Sequence, residues 1–211
     1  MDTFAKILEL KPKRKIKQIL GEDFFINETD PYNRIRLDIG SCYEFYYALG
    51  AFYQPKSILD IGTEKGWPII SMAIACNPET VDCIPVNTNY VEISNYIQKV
   101  MEKGFATKTK FNILNVDQGK VNSLVDFVHI DKNYNDPNVF VQEFQFAVQL
   151  RPKIIAIDNY LCNHVVKSIS DRFFADNKKF INERFVMFNG GHLDDPKGLL
   201  ILDMKEYLMR Q

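Results

Sequence analysis

The chain has 211 residues, 46% of them hydrophobic, and 26 Lys and Arg against 27 Asp and Glu for a net charge of −1. That length buries a sizeable core, most simply as one domain, and the near-neutral balance speaks against the broad basic footprint of a nucleic-acid-binding face, so no nucleic acid is expected. No apolar run approaches the roughly 20 residues of a membrane-spanning helix, and Met1–Leu10, interrupted by Asp2, Lys6 and Glu9, does not read as a signal peptide. Cys42, Cys76, Cys83 and Cys162 show neither a CxxC pair nor zinc-type spacing. They read as reduced thiols of a cytoplasmic protein.

Residues 1–20 read as one or two short helices broken at Pro12 and ended near Gly21. Five basic residues crowd Lys11–Lys17; they read as a solvated helix face, with contact to a phosphate-bearing partner or an acidic membrane surface as the alternative. Glu22–Arg36 is polar and turn-rich and reads as an ordered loop. Residues 1–40 thus form an N-terminal helical and loop extension, and 41–211 the main domain. Ser41–Phe52 opens with a Ser suited to an N-cap and carries Phe45, Tyr46, Leu49 and Phe52 at helical spacing, so its aromatics read as core.

From Ser57 the pattern alternates. Strand Ser57–Ile61 breaks into Gly62 and Gly66 and resumes as a helix over Gly66–Cys76, the geometry that lets backbone N–H groups approach a nucleotide-like ligand. Strand Val81–Val86 leads to a helix over Asn89–Lys103, closed by Gly104. Strand Lys110–Leu114 is followed by a short helix over Gly119–Ser123, strand Val125–Ile130 and a helix over Pro137–Leu150. Strand Ile154–Ile157 precedes a helix over Asn163–Asp176. Arg184–Phe188 and Gly198–Leu202 read as two strands joined by a glycine loop.

Five β-α units and a terminal strand pair make an α/β sheet with helices on both faces, in which a ligand lies beyond the carboxyl ends of the strands. The residues just past those ends are Asp60, Gly62 and Thr63; Asn87; Asp117 and Gln118; Asp131, Lys132 and Tyr134; Asp158, Asn159 and Tyr160. Acids and amides dominate the set. A lone strand-end Asp also serves as a cap for the element that follows, and that reading stands beside the functional one for Asp117, Asp131 and Asp158.

Ile58–Gly66 (ILDIGTEKG), Phe127–Asp131 (FVHID) and Ile155–Tyr160 (IAIDNY) resemble the class I S-adenosylmethionine-dependent methyltransferases, nearest to the small O-methyltransferases of the catechol, caffeoyl-CoA and bacterial sugar or natural-product type. The resemblance covers residues 41–205. It implies a Rossmann-like seven-stranded sheet of order 3-2-1-4-5-7-6 with the last strand antiparallel. It implies that Asp60, Gly62, Thr63 and Gly66 hold the methionine part of the cofactor, that Asn87 takes the ribose, and that Asp117 and Gln118 face the adenine. In the metal-dependent branch Asp131, Asp158 and Asn159 would bind Mg²⁺ or another divalent cation. The resemblance further implies O-methylation of a small-molecule or sugar hydroxyl, with Asp131, Lys132 and Tyr134 as catalytic candidates; a homodimer stays open.

Three positions depart from that pattern. Glu64 stands where the first motif has a glycine, which a side chain turned to solvent would allow. Pro85-Val86-Asn87 replaces the acid that ends strand two, and a neutral acceptor binds a hydroxyl more weakly than a charged one. Tyr134 holds the position of the metal-dependent family's catalytic lysine, while Lys132 directly follows Asp131. The base is therefore open among Lys132, His164, His192 and Tyr160, and His129 reads as a hydrogen-bonded interior histidine. These departures also motivate an alternative, a methyltransferase-like binding or scaffold protein without turnover. A short-chain dehydrogenase is disfavoured by the absence of both GxGxxG and YxxxK.

Overall fold

The computed structural model describes residues 3–12, 16, 19, 41–86, 90–114, 121, 125–131, 134, 136–187 and 198–204. Its strands are β1 (Ser57–Thr63), β2 (Thr80–Pro85), β3 (Lys110–Ile113), β4 (Phe127–Ile130), β5 (Ile154–Ile157), β6 (Glu183–Met187) and β7 (Leu199–Asp203). They form one sheet in the order β3-β2-β1-β4-β5-β7-β6. The first five run parallel, and β7 runs antiparallel to both β5 and β6. This is the order the resemblance implies, with helices on both faces and an N-terminal helix.

The helices are α1 (Thr3–Glu9), α2 (Ser41–Tyr53), α3 (Trp67–Cys76), α4 (Tyr90–Glu102), α5 (Pro137–Gln149) and α6 (His164–Asn177). Local chemistry fixes their ends. Gly66 precedes α3 in the left-handed region (φ 73°), with Pro68 in the first turn. Asp136 caps α5 by accepting the Asn138 N–H, again with a Pro in the first turn. Asn163 caps α6 through the N–H groups of Val165 and Val166. The expected strand Val125–Ile130 starts two residues late, at Phe127, because Asp126 does other work. Its carboxylate accepts the Lys56 N–H at 2.8 Å and pairs with Lys153 at 2.9 Å, tying together the starts of β1, β4 and β5. The loop Glu22–Arg36 and, apart from Val121, the expected helix Gly119–Ser123 lie outside the described residues; Val121 is not helical.

Strands β4 and β5 are buried along their whole length, as central parallel strands must be. Alternation sends Ile58, Phe127, Ile154 and Ile201 to one face, beneath α1 to α4. Leu59, Val128, Ile155 and Leu200 go to the other, beneath α5 and α6. Helices α2 and α3 approach so closely that a Cβ on Gly50 would lie 2.7 Å from the Met72 carbonyl oxygen. Among the described residues no helix is long and apolar enough to cross a membrane.

Register is what positions the site. Asp60 pairs with His129 and His129 with Ala156; the next row is Ile61, Ile130 and Ile157. Asp131 and Asp158 follow immediately, their N–H groups donating to Ile61 and Ile130 carbonyls at 2.9 Å each. Counting by twos, Asp60, His129, Asp131 and Asp158 belong to the face covered by α2.

Candidate functional site

The site is built around the turn that leaves β1. Gly62 has φ 92° and Gly66 φ 73°, values that a side chain disfavours. The β1–β2 register slips between Ile61 and Thr63, which opens the strand end. Gly66, the residue that precedes α3, has no side chain to bond the helix start, and such a helix start suits a carboxylate or similar anion. Glu64 is exposed, so its side chain leaves the turn clear and the missing glycine carries no steric consequence.

Asp60 is 1% exposed and uses both carboxylate oxygens inward. Oδ1 lies 2.7 Å from His129 Nδ1, and Oδ2 accepts the Thr63 hydroxyl at 2.6 Å. The other His129 nitrogen, Nε2, lies 2.8 Å from the Tyr46 hydroxyl on α2. Tyr46 also donates towards Asp158 Oδ2 at 3.5 Å. Both ring nitrogens of His129 are therefore engaged, as expected for an interior histidine. Burial alone would lower the His129 pKa, but the hydrogen bond and charge of Asp60, with Asp131 and Asp158 behind it, raise it above its ordinary value.

At the ends of β4 and β5 the three expected ion ligands lie side by side. Asn159 takes a left-handed conformation (φ 59°), which lets its N–H donate to Asp158 Oδ1 at 2.8 Å. Its amide nitrogen reaches Asp131 Oδ1 at 3.4 Å. Ligand atoms of His129, Asp131 and Asp158 all lie within 4.8 Å of one another. Burial, and next the Asp158 charge, drive the Asp131 carboxyl well above the usual carboxylate range. Two carboxylates held this close are relieved only by a proton or a cation. His129 spends its nitrogens on Asp60 and Tyr46, so the ligand atoms on offer are carboxylate and amide oxygens, the set a hard divalent cation takes. The residues fit such an ion.

Other expected residues stand elsewhere. Tyr134 is 4% exposed, and its hydroxyl donates to Glu143 on α5. Burial, then that bond, raises its pKa, a geometry that suits a packing role. The Tyr160 hydroxyl is taken up by Asp171, Lys167 and Arg184, away from a role as base. His164 is exposed at the first position of α6. The Thr63 hydroxyl is spent on Asp60, and the Thr63 carbonyl accepts the Val86 N–H at 3.1 Å. Asn87, Asp117, Gln118, Lys132 and His192 lie outside the described residues. The loops after β4 and β5 are joined by the Asn163 amide donating to the Tyr134 carbonyl at 2.9 Å.

Spacing missed Tyr46, which it places among core aromatics. No spacing signal singles it out, because the same helix also carries Tyr43, Tyr47 and Tyr53.

No family profile matches the chain, and comparison with curated proteins returns no match. Solved structures do match. The O-methyltransferase TomG of Streptomyces achromogenes, involved in tomaymycin synthesis and solved with SAM, shares 16% identity at TM-score 0.56, over 96% of this chain and 95% of that one. The methyltransferase PaMTH1 of Podospora anserina, solved with SAH, shares 15% at TM-score 0.57, over 89% and 88%. An rRNA methylase of Streptococcus thermophilus shares 12% at TM-score 0.57, over 77% of this chain and 96% of that one. The chain has the class I methyltransferase fold of these proteins.

Proposed function

We propose that the chain is an S-adenosylmethionine-dependent methyltransferase acting on a hydroxyl of a small molecule or sugar, assisted by a divalent cation. The observation that carries the reading is the adjacency of Asp131, Asp158 and Asn159 at the ends of β4 and β5, one strand over from the open glycine turn of β1. The net charge of −1 favours a small acceptor over RNA.

S-adenosylmethionine supplies an electrophilic methyl group on sulfonium. The Gly62–Gly66 turn and the start of α3 would hold the methionine carboxylate through backbone N–H groups. Asp60, braced by His129 and Thr63, keeps negative charge beneath the turn, on the side of a cationic amine. Asn87 takes the ribose, and Asp117 and Gln118 take the adenine. Asp131, Asp158 and Asn159 would hold a divalent cation, whose Lewis acidity would lower the pKa of an acceptor hydroxyl. Lys132, adjacent to Asp131 in the chain, is the base that removes the hydroxyl proton. Transfer would form the O–CH₃ bond as the sulfonium C–S bond breaks, leaving S-adenosylhomocysteine, with the site contributing chiefly by positioning.

Titrating S-adenosylhomocysteine into the folded protein by calorimetry tests the cofactor reading. Saturable binding is expected with Kd in the range of about 1–100 μM, inside the span of ordinary enzyme affinities; no heat at several times that range would overturn it. Methyl transfer from labelled cofactor to phenolic and sugar acceptors tests the metal. Asp158→Ala is expected to remove activity and divalent dependence together, whereas full wild-type activity in chelator would refute the metal role.

A further inference from the structure

The Tyr46 ring belongs to the core: it is fully buried and stands edge-on to His129, with ring centroids 5.1 Å apart. The hydroxyl has a different task. A buried phenol has no water to bond, so its partners must come from the protein. Here they come from two strands, His129 Nε2 on β4 at 2.8 Å and Asp158 Oδ2 after β5 at 3.5 Å. Continued through His129 to Asp60 and Thr63, a line of hydrogen bonds runs from the glycine turn of β1 to the carboxylate at the end of β5.

The consequence falls on Asp158. Its Oδ1 is held by the Asn159 N–H, a bond made by the local turn. Its Oδ2 is reached from across the core by Tyr46. The rotation of the carboxylate is thus set at both oxygens, and the second restraint depends on a helix more than a hundred residues earlier in the chain. Phenylalanine would fill the same space but could not provide it.

We propose that Tyr46 is a positioning residue whose hydroxyl, braced by His129, orients Asp158 so that it and Asp131 present their oxygens together to a divalent cation. This rests on the metal-assisted form of the function proposed above. Groups that orient metal ligands typically change affinity or activity by about 10–100-fold when removed. A purely structural Tyr46 would change stability and leave ion affinity alone.

The test measures Mn²⁺ binding to the full chain from the electron paramagnetic resonance signal of the free ion. Tyr46→Phe is expected to bind Mn²⁺ at least about tenfold more weakly than wild type, with S-adenosylhomocysteine affinity within about twofold by calorimetry. His129→Gln, which removes the brace on the hydroxyl, should weaken Mn²⁺ in the same direction. Phe45→Leu, a neighbouring α2 change that loosens packing on Phe4, should lower the unfolding midpoint and leave Mn²⁺ affinity unchanged. Wild-type Mn²⁺ affinity in both polar variants, or an equal loss in Phe45→Leu, overturns the proposal. So does a wild-type chain that takes up no Mn²⁺ while still binding S-adenosylhomocysteine, an outcome that spares the cofactor reading. A chain that binds Mn²⁺ but no S-adenosylhomocysteine would refute the cofactor reading, with the Tyr46 comparison still decided by its own Mn²⁺ values.

Discussion

A buried carboxylate is tolerated only with partners, and Asp60 has two: His129 at 2.7 Å and Thr63 at 2.6 Å. The pair carries different weights depending on how it is removed. His129→Leu leaves Asp60 buried beside a single hydroxyl, and an uncompensated buried charge costs about 3–5 kcal/mol. Replacing both Asp60 and His129 by Leu removes the charge with its partner and should cost clearly less than the sum of the single changes. Urea unfolding of the three variants measures both quantities. A single-variant loss below about 1 kcal/mol would show that the pair does not operate as a charged one. Part of this was readable from sequence. His129 sits in an apolar strand run, where an imidazole needs bonding partners, so an engaged interior histidine could be inferred. Its partners could not, because they follow from the β1–β4 register and from Tyr46 on α2, both long-range facts. The surroundings of Tyr134 were hidden for a related reason: its distance in sequence from Asp131 suited a catalytic group, but that distance says nothing of the packing on Phe140 and the bond to Glu143.

Among the elements, α2 matters most for the site, since it delivers Tyr46, and its depth is set by its contact with α3. Gly50 permits that contact. An added Cβ would sit 2.7 Å from the Met72 carbonyl oxygen and 3.0 Å from the Met72 Cα, backbone atoms that cannot swing aside. Gly50→Ala is therefore expected to destabilise the fold by about 1–3 kcal/mol, the usual cost of overpacking, despite the gain in helix propensity. The urea midpoint checks it, and a stabilised variant would show that α2 can slide outward freely. Helices and strands were themselves legible, because alternation of short β-branched runs with amphipathic stretches leaves few other readings. Ile154–Ile157 matched at both ends. Other bounds moved by one or two residues where a polar side chain took over, as at Asp126, or where a glycine stayed outside the helix, as at Gly66. Gly50 shows what the pattern hides, since a glycine inside a helical run signals a close approach without saying to what.

For the whole molecule, the order β3-β2-β1-β4-β5-β7-β6 puts the glycine turn and the two acids at neighbouring strand ends. The periodicity of the chain predicts a sheet with two covered faces; the order of its strands came only from the resemblance of three short motifs. A ligand bridging those strand ends joins elements far apart in the chain and stabilises the fold by mass action. At a concentration of about 100 times Kd, S-adenosylhomocysteine should add about 2.7 kcal/mol. For a chain of 211 residues that corresponds to a rise in Tm of roughly 5–10 °C. Gly62→Val should abolish the shift, because the turn needs φ 92° and a β-branched residue cannot hold it. Asp158→Ala should retain the shift, because the proposed function assigns that carboxylate to the acceptor side of the site. Scanning fluorimetry with and without ligand separates these outcomes. A full shift in Gly62→Val would place the cofactor elsewhere on the sheet. Loss of the shift in Asp158→Ala would make the two halves of the site one binding unit.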